Sequence, residues 1–346
     1  NMLGVPSDVV KTVEMLSYSG LDVIQTGACT LPEISLQARL MGATGIFLDD
    51  DASYYLDSTG SYLDGDFPIV RLERLKRGKI SRINSKREYV RHLRRETAVD
   101  RLKSSSIAIG GITDNTLLSL LAQVFPFKGL WRVRSETDLG LANVADSVLR
   151  MQASLGIKLD STGTKVEFVD DQGTQITNAV AGALIARYLK ELGNLSSVSK
   201  DWGVSRFFDR VVEKSGLKVE KNADFLVGEE IIYKPHLGVG DGLWLGFMLA
   251  EISAVLNRPL SELIAEMYKV VGKTETKLLP LEKNELENYL RKVAGKKYSL
   301  EDKGELQLNN VVVAWKKLNN NLYHVLLDGE PSKLHSLQTD LPLGIS

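Results

Sequence analysis

The stretch LGIKLDSTGTKVEFVDDQG, residues 155–173, decides the fold of this chain. The runs 157–160 and 166–169, with apolar residues at alternate positions, predict strands, and the polar residues between them predict a turn. A helical apolar pattern over 141–155 precedes this pair of strands. Because a helix that leads into a strand is typical of α/β proteins, we expect an α/β layer around this stretch.

Helix and strand patterns alternate outward from this stretch over most of the chain. Helices are predicted from Ser7-Asp8 to before Gly20, from Pro32 to Met41, onward from Ser85, over 115–124, 141–155, 179–192, 207–215 and 284–293, and onward from Gly242. Strands are predicted over 21–25, 44–48, 107–110, 130–133, 157–160, 166–169, 217–220, 305–317 and 322–327. The turn Asn319-Asn320-Asn321 joins the last two as a hairpin. The alternation indicates three α/β units with largely parallel strands and a smaller α+β unit.

The units correspond to four predicted domains, over residues 1–82, 83–174, 175–276 and 277–346. The chain has 346 residues, which is more than one ordinary domain of roughly 150 residues holds. The first limit lies in a basic segment, 71–103, that contains 13 Lys or Arg and four acids. The acidic loop at 49–66 precedes this segment, and the two could pair within the chain or across a symmetric dimer.

Composition narrows the classes of protein to which the chain can belong. With 43% hydrophobic and 25% charged residues it matches globular proteins, and its net charge of −1 gives no overall field for nucleic acid or membrane. Cys29 is the single cysteine, which excludes an internal disulfide and a cysteine-based zinc site. The apolar run 243–256 contains Glu251 and is too short to span a bilayer. We therefore expect a cytoplasmic protein.

Four segments carry glycine, proline and strand patterns in a fixed order. They are Thr30-Leu31-Pro32 with Gly45-Ile46-Phe47-Leu48; 155–160 with 166–171 and Gly173; Gly228-Glu229-Glu230 with His236 and Gly240-Asp241-Gly242; and Val311-Val312-Val313 with 322–327. In this order and spacing they resemble the four signature regions of the α-D-phosphohexomutases, enzymes that move phosphate between positions of a hexose. The resemblance implies three α/β domains with mixed sheets plus a small α+β C-terminal domain, the first domain being truncated.

The loop that the resemblance aligns with the family's phosphoserine is acidic. It reads Asp49-Asp50-Asp51-Ala52-Ser53-Tyr54-Tyr55, and the family's serine falls on Asp51, or on Ser53 after a two-residue shift. Either residue is a vestigial catalytic candidate. Because like charges repel at short range, a serine beside three aspartates is a poor phosphate carrier. The alternatives are an aspartyl nucleophile or a cation site at 49–51, and a solvated acidic loop.

The loop that the resemblance aligns with the family's metal site has lost most of its carboxylates. The family alternates three aspartates and ends in arginine, whereas this loop reads Asp160-Ser161-Thr162-Gly163-Thr164-Lys165. Since Mg²⁺ prefers charged oxygen ligands, we expect no tight binding, with Asp160 a vestigial ligand and Lys165 a vestigial catalytic residue. The run Leu-Asp-Ser-Thr-Gly also occurs at 56–60, which predicts a shared turn chemistry.

The two remaining loops keep fragments of a ligand site. Glu229 is retained in the sugar loop, but Ile231-Ile232-Tyr233 replaces the Ser-Gly-His that the family has there. Lys316 and Lys317 stand where the family has a phosphate-binding loop. Lysines can hold a phosphate as point charges, without the bidentate geometry of arginine. We take Glu229, Lys316 and Lys317 as ligand-binding candidates; exposed hairpin lysines are the alternative.

These losses favour a phosphohexomutase-like protein that is catalytically degenerate and acts as a binding, regulatory or assembly subunit. The first alternative is an active mutase with altered loops, and only this one requires Mg²⁺ as a cofactor. The second is binding of nucleic acid or an acidic partner through segment 71–103. The competing interpretation of this segment is a linker with a solvated helix face. Expected partners are a hexose phosphate or another anion in the central cleft, and a protein partner or homodimer.

Overall fold

The computed structural model describes residues 7–49, 52–63, 76–112, 115–134, 140–294, 301, 303–308, 311–319 and 322–338. The helices within these ranges are α1 Ser7–Tyr18, α2 Leu31–Met41, α3 Ser85–Glu96, α4 Asn115–Val124, α5 Leu141–Met151, α6 Asn178–Glu191, α7 Arg206–Lys214, α8 Gly242–Leu256, α9 Leu260–Val271, α10 Lys283–Ala294 and α11 Pro331–Gln338. A 3-10 helix covers Val99–Ser104.

The strands in the same ranges form five sheets. They are β1 Val23–Gln25, β2 Gly45–Leu48, β3 Ser53–Leu56, β4 Ile80–Arg82, β5 Ser106–Gly110, β6 Gly129–Arg132, β7 Leu155–Leu159, β8 Val166–Asp170, β9 Gln175–Ile176, β10 Ser197–Lys200, β11 Lys218–Val219, β12 Phe225–Val227, β13 Ile231–Tyr233, β14 Glu275–Glu282, β15 Lys303–Leu308, β16 Val311–Lys317 and β17 Leu322–Gly329. The sheet orders are β1-β4, β2-β3, β6-β5-β7-β8-β9, β11-β10-β12-β13 and β14-β17-β16-β15.

Residues 155–173 contain the hairpin β7–β8 of the five-stranded sheet. β5 pairs in parallel with β6 and β7, while β8 is antiparallel to β7 and to β9. Helix α8 packs directly on this sheet. A Cβ at Gly246 would lie 2.2 Å from Ile157 Cδ1, so a larger residue would force the Ile157 side chain to move. The turn of the hairpin, residues 160–165, therefore follows a strand that is packed closely against α8.

The predicted mixed α/β architecture is confirmed, and several of its elements differ from the prediction. The helix predicted over 141–155 ends at Met151, where Gln152 has a φ of 50°, and Leu155 already belongs to β7. Apolar residues continue at helical spacing through this junction, so periodicity alone could not place the end. The strand predicted over 305–317 is two antiparallel strands, β15 and β16. β2 pairs antiparallel with β3, which was predicted as part of an acidic loop.

The C-terminal sheet has its own hydrophobic core, which includes Leu286, Tyr289, Trp315 and Val325. All of its strand pairs are antiparallel, as the predicted α+β unit requires. The domain limits at 82, 174 and 276 stay predictions. Among the described helices, none combines the length and the apolar character needed to cross a membrane.

Candidate functional site

The turn between β7 and β8, residues 160–165, is closed by hydrogen bonds within itself. The backbone amide of Lys165 donates to Asp160 Oδ1 at 3.1 Å, and the Thr162 hydroxyl donates to Asp160 Oδ2 at 2.7 Å. Gly163 has a φ of 79°, a left-handed conformation that favours glycine in a tight turn. Both oxygens of the single aspartate in this loop are thus engaged by the loop.

Two buried threonines connect this turn to its neighbours. Thr162 and Thr164 are 3% and 2% exposed, and their hydroxyl oxygens lie 2.8 Å apart. The Thr164 hydroxyl donates to Glu230 Oε1 at 2.8 Å. The carbonyl of Thr162 accepts from the amide of Leu31 at the start of α2, at 2.8 Å. The threonines therefore point inward, into a network of hydrogen bonds.

Lys165 and Glu229 form an exposed ion pair beside this turn. Lys165 Nζ lies 2.6 Å from Glu229 Oε2, with the two side chains 53% and 83% exposed. The hydrogen bond to Glu229 raises the pKa of Lys165, and the same bond lowers the pKa of Glu229. Together with Asp160 they line a cleft of about 570 Å³. The structure thus brings these three predicted site residues together.

The acidic loop of the first unit reaches the same place through Asp49. Ser161 donates to Asp49 Oδ2 at 2.7 Å, which joins the predicted nucleophile loop to the predicted metal loop. Ser53 is exposed in β3, paired with Leu48 across the hairpin. Asp51 lies outside the described residues.

Lys316 and Lys317 lie at the end of β16, opposite His324 and Tyr323 of β17. Lys316 is exposed and Lys317 is half-buried. They belong to the C-terminal sheet, whereas Asp160, Lys165 and Glu229 surround the cleft at the end of β7. The cleft is lined by residues 158–160, 165–167, 175–178 and Glu229, so these two lysines are not part of its wall.

Behind the loops, Asp241 organises a buried polar cluster at the start of α8. Its Oδ1 accepts from the Tyr89 hydroxyl at 2.7 Å and from the Trp244 amide at 3.0 Å, which caps the helix. Its Oδ2 lies 2.9 Å from His236 Nε2. Burial, and then the negative charge of Asp241, raise the pKa of Tyr89 well above its usual value. Tyr89 therefore stays a hydrogen-bond donor.

The fold is shared with known enzymes. A phosphoglucomutase/phosphomannomutase family protein from Burkholderia thailandensis superposes with a TM-score of 0.70 at 17% identity, over 96% of this chain and 84% of that one. The chain has the α-D-phosphohexomutase fold. Parafusin, a phosphoglucomutase from Paramecium in its open form, gives a TM-score of 0.68 at 12% identity, over 92% and 80% of the two chains.

Relatives by sequence are phosphoglucosamine mutases. Those of Bacillus cytotoxicus and of Bacillus cereus strain AH187 are each 28% identical over 178 residues, which is 43% of this chain and 39% of the relative. The match thus spans less than half of either relative's length. No protein-family model matches the chain. The resemblance to the α-D-phosphohexomutase superfamily that four segments predicted is confirmed.

The loop of this phosphohexomutase fold that would hold Mg²⁺ does not fit the ion. A hard dication requires several oxygen ligands, preferably charged, in near-octahedral geometry. Asp160 is the loop's single carboxylate, and both of its oxygens accept hydrogen bonds from the loop. Across the described part of the chain, no three His, Cys, Asp or Glu side chains group in a way that could hold a metal.

Sequence reasoning missed two members of the network at this site. Glu230 stands beside the candidate Glu229 in the sugar loop, but its spacing gave no reason to prefer it. Tyr62 follows a turn in the first unit, and its hydroxyl donates to both carboxylate oxygens of Glu230, at 2.9 and 3.1 Å. The adjacency of these residues arises only from the packing of three distant segments.

Proposed function

We propose that this chain is a phosphohexomutase-fold protein without mutase activity that acts as a binding, regulatory or assembly subunit. The observation that carries the proposal is the state of Asp160. Its two carboxylate oxygens accept from the Lys165 amide and the Thr162 hydroxyl, where the resemblance expects a metal ligand. Phosphoryl transfer depends on a cation that offsets phosphate charge, and this loop supplies little negative charge to hold one.

Among the described residues, the other site candidates are paired or lie outside the wall of the cleft. Lys165, the one cation of the loop, pairs with Glu229. Ser53 is exposed in β3, and Lys316 and Lys317 lie in the C-terminal sheet. Because nucleophile, cation and phosphate donors act as a unit, we expect loss of any one of them to remove most of the turnover.

The cleft of about 570 Å³ is the proposed ligand site. Two ion pairs lie on its wall, Lys158 with Glu167 at 2.5 Å and Lys165 with Glu229 at 2.6 Å. A hexose phosphate or another anion would have to compete with these carboxylates for the lysines. The proposal is therefore weak, reversible binding of an anionic sugar, suited to a regulatory subunit.

Turnover assays decide between this proposal and an active mutase. The purified protein with Mg²⁺ is incubated with the 1-phosphates of glucose, mannose and glucosamine, and phosphate migration is followed by ³¹P NMR. We expect no migration, and no phosphorylation of residues 49–55 by mass spectrometry. Mg²⁺-dependent migration that is lost in Asp160→Asn would establish the alternative, a mutase using Asp51 or Ser53 with Asp160 and Lys165.

A panel of ligands tests the binding role itself. Any molecule that binds the folded state raises the unfolding temperature by mass action. We expect hexose phosphates to stabilise the protein equally with Mg²⁺ and with EDTA. If no member of the panel stabilises it, the proposal reduces to an assembly role, which sedimentation of the protein at several concentrations then tests.

One observation favours a second function, the binding of a polyanion by α3. Arg87, Arg91, Arg94 and Arg95 are exposed on this helix, and Glu88 pairs with Arg91 at 2.5 Å. Binding through such a face must weaken steeply as salt rises, because it depends on released counterions. Titration of labelled single-stranded DNA at 50 and 200 mM salt tests this function. The absence of binding at 50 mM salt would indicate that the helix face is only solvated.

A further inference from the structure

The carboxylate of Glu230 receives hydrogen bonds from three separate parts of the chain. Tyr62 donates its hydroxyl to Oε1 at 2.9 Å and to Oε2 at 3.1 Å. Thr164 donates to Oε1 at 2.8 Å, and the amide of Gly240 donates to Oε2 at 3.1 Å. Tyr62 follows the hairpin β2–β3, Thr164 lies between β7 and β8, and Gly240 precedes α8. One side chain, between β12 and β13, thus joins the loops that follow β3 and β7 to the start of α8.

The backbones of these segments also approach one another too closely for side chains. A Cβ at Gly238 would lie 2.0 Å from Ser61 Oγ and 2.6 Å from Ser61 Cα. A Cβ at Gly240 would lie 2.7 Å from the carbonyl oxygen of Thr164. Close contact at two neighbouring glycines means that residues 236–242 lie directly against the loops 57–63 and 160–165. The hydrogen bonds to Glu230 therefore cross a packed junction.

The electrostatics of the junction suit a permanent connection. Burial, and then the negative charge of Glu230, raise the pKa of Tyr62, so its hydroxyl remains a donor. Hydrogen bonds to an ionised carboxylate are stronger than those between neutral groups. A carboxylate surrounded by donors from three loops needs no cation to be stabilised.

We infer that Glu230 fastens the loops 57–63, 160–165 and 236–242 to one another, and that these hydrogen bonds hold the loops together without a divalent cation. The inference goes beyond the proposed function, since it concerns how the cleft is assembled whether or not a ligand binds. Glu229, the adjacent glutamate, makes an exposed ion pair with Lys165 of the loop 160–165 and does not join that loop to the other two.

Hydrogen exchange of backbone amides tests the inference on the full chain without ligand. We expect Glu230→Ala to speed exchange about tenfold in all three loops together, because each loses bonds to the same carboxylate. Tyr62→Phe removes one hydroxyl and should affect mainly 57–63, while Thr164→Val should affect mainly 160–165. Glu229→Ala is the matched control: it removes only the exposed ion pair with Lys165, and exchange in 57–63 and 236–242 should stay as in the wild type.

Each outcome of this experiment bears on the inference. If Glu230→Ala speeds exchange only near residue 230, the side chain is a local cap and the inference is wrong. Faster exchange of the wild-type loops in EDTA than in Mg²⁺ would show that a cation fastens them. If Glu230→Ala does not fold, Tyr62→Phe and Thr164→Val test the inference instead. Exchange at the wild-type rate in both of these variants would show that the inference is wrong. None of these readouts depends on ligand binding or turnover.

Discussion

The imidazole ring of His92 stacks on that of His236, with 4.8 Å between ring centroids and 22° between planes. His236 in turn stacks on Trp244 at 4.5 Å, and all three rings are buried. Burial, followed by repulsion from His236, lowers the pKa of His92 from 6.5 to about 4. Asp241 acts in the opposite direction, with a smaller effect. His92 is therefore uncharged in the folded protein at neutral pH.

The stack predicts a loss of stability in mild acid. Below pH 6.5 the unfolded chain binds a proton at His92 that the folded protein excludes until its pKa of about 4 is reached. The free energy of unfolding therefore decreases as the pH falls from 6.5 toward 4. The decrease amounts to about 3 kcal/mol, at 1.36 kcal/mol per pH unit. Urea unfolding at pH 7.5, 6.0 and 4.5 measures this. His92→Phe should flatten the profile.

Asp241 is expected to be among the most sensitive polar positions. It is 2% exposed, and Asp241→Ala would leave the Tyr89 hydroxyl and the Trp244 amide without an acceptor. We expect a loss of roughly 3 kcal/mol in the free energy of unfolding. Asp241→Asn keeps one acceptor oxygen and should lose less. Chemical denaturation measures both, and equal stability of Asp241→Ala and wild type would contradict the cluster's role.

The ion pair between Lys165 and Glu229 predicts a gain in affinity for anions when the glutamate charge is removed. Glu229→Gln releases the ammonium group of Lys165, and an exposed pair stabilises a protein by only about 0.2–1 kcal/mol. Stability should hardly change, while the affinity for inorganic phosphate or glucose 1-phosphate should rise roughly two- to fivefold at low salt. Isothermal titration measures the affinity. Glu191→Gln, which releases Arg187 from a similar exposed pair on α6, is the control and should bind as the wild type does.

A buried carboxylate of the C-terminal sheet contacts the start of α7. Asp328 in β17 accepts from Ser205 Oγ at 2.7 Å, from Thr276 Oγ1 at 2.8 Å and from the Arg206 amide at 2.9 Å. Asp328→Ala should destabilise this contact by roughly 2–4 kcal/mol, and Thr276→Val by about 1 kcal/mol. Differential scanning calorimetry should then resolve a separate, earlier transition for the C-terminal sheet. A single unshifted transition in Asp328→Ala would contradict this.

Elements with a clear period and clear ends could be predicted from the sequence. The helix predicted over 115–124 is observed as Asn115–Val124, and the helix after Gly242 begins there, capped by Asp241. The repeated Leu-Asp-Ser-Thr-Gly forms similar turns, since Gly60 and Gly163 have φ of 81° and 79°. In both turns the aspartate accepts hydrogen bonds from its own loop.

Elements that depend on their neighbours could not be predicted. β14 contains Pro280, which argues against a strand, yet β14 stands at the edge of its sheet, where proline is tolerated. At the site, Asp160, Lys165 and Glu229 were identified because motifs mark them. Tyr62 and Glu230 carry no such mark, because their contact exists only once residues 168 positions apart are packed together.

The buried threonines of the 160–165 loop make aspartate unfavourable at their two positions. Thr162 and Thr164 are 3% and 2% exposed, with Asp160 and Glu230 each within hydrogen-bonding distance of one of them. Aspartate at either position would place two carboxylates side by side out of water, where they repel strongly. Each single substitution to aspartate should therefore cost stability. A loop with carboxylates at 160, 162 and 164 would require compensating changes in the residues packed around it.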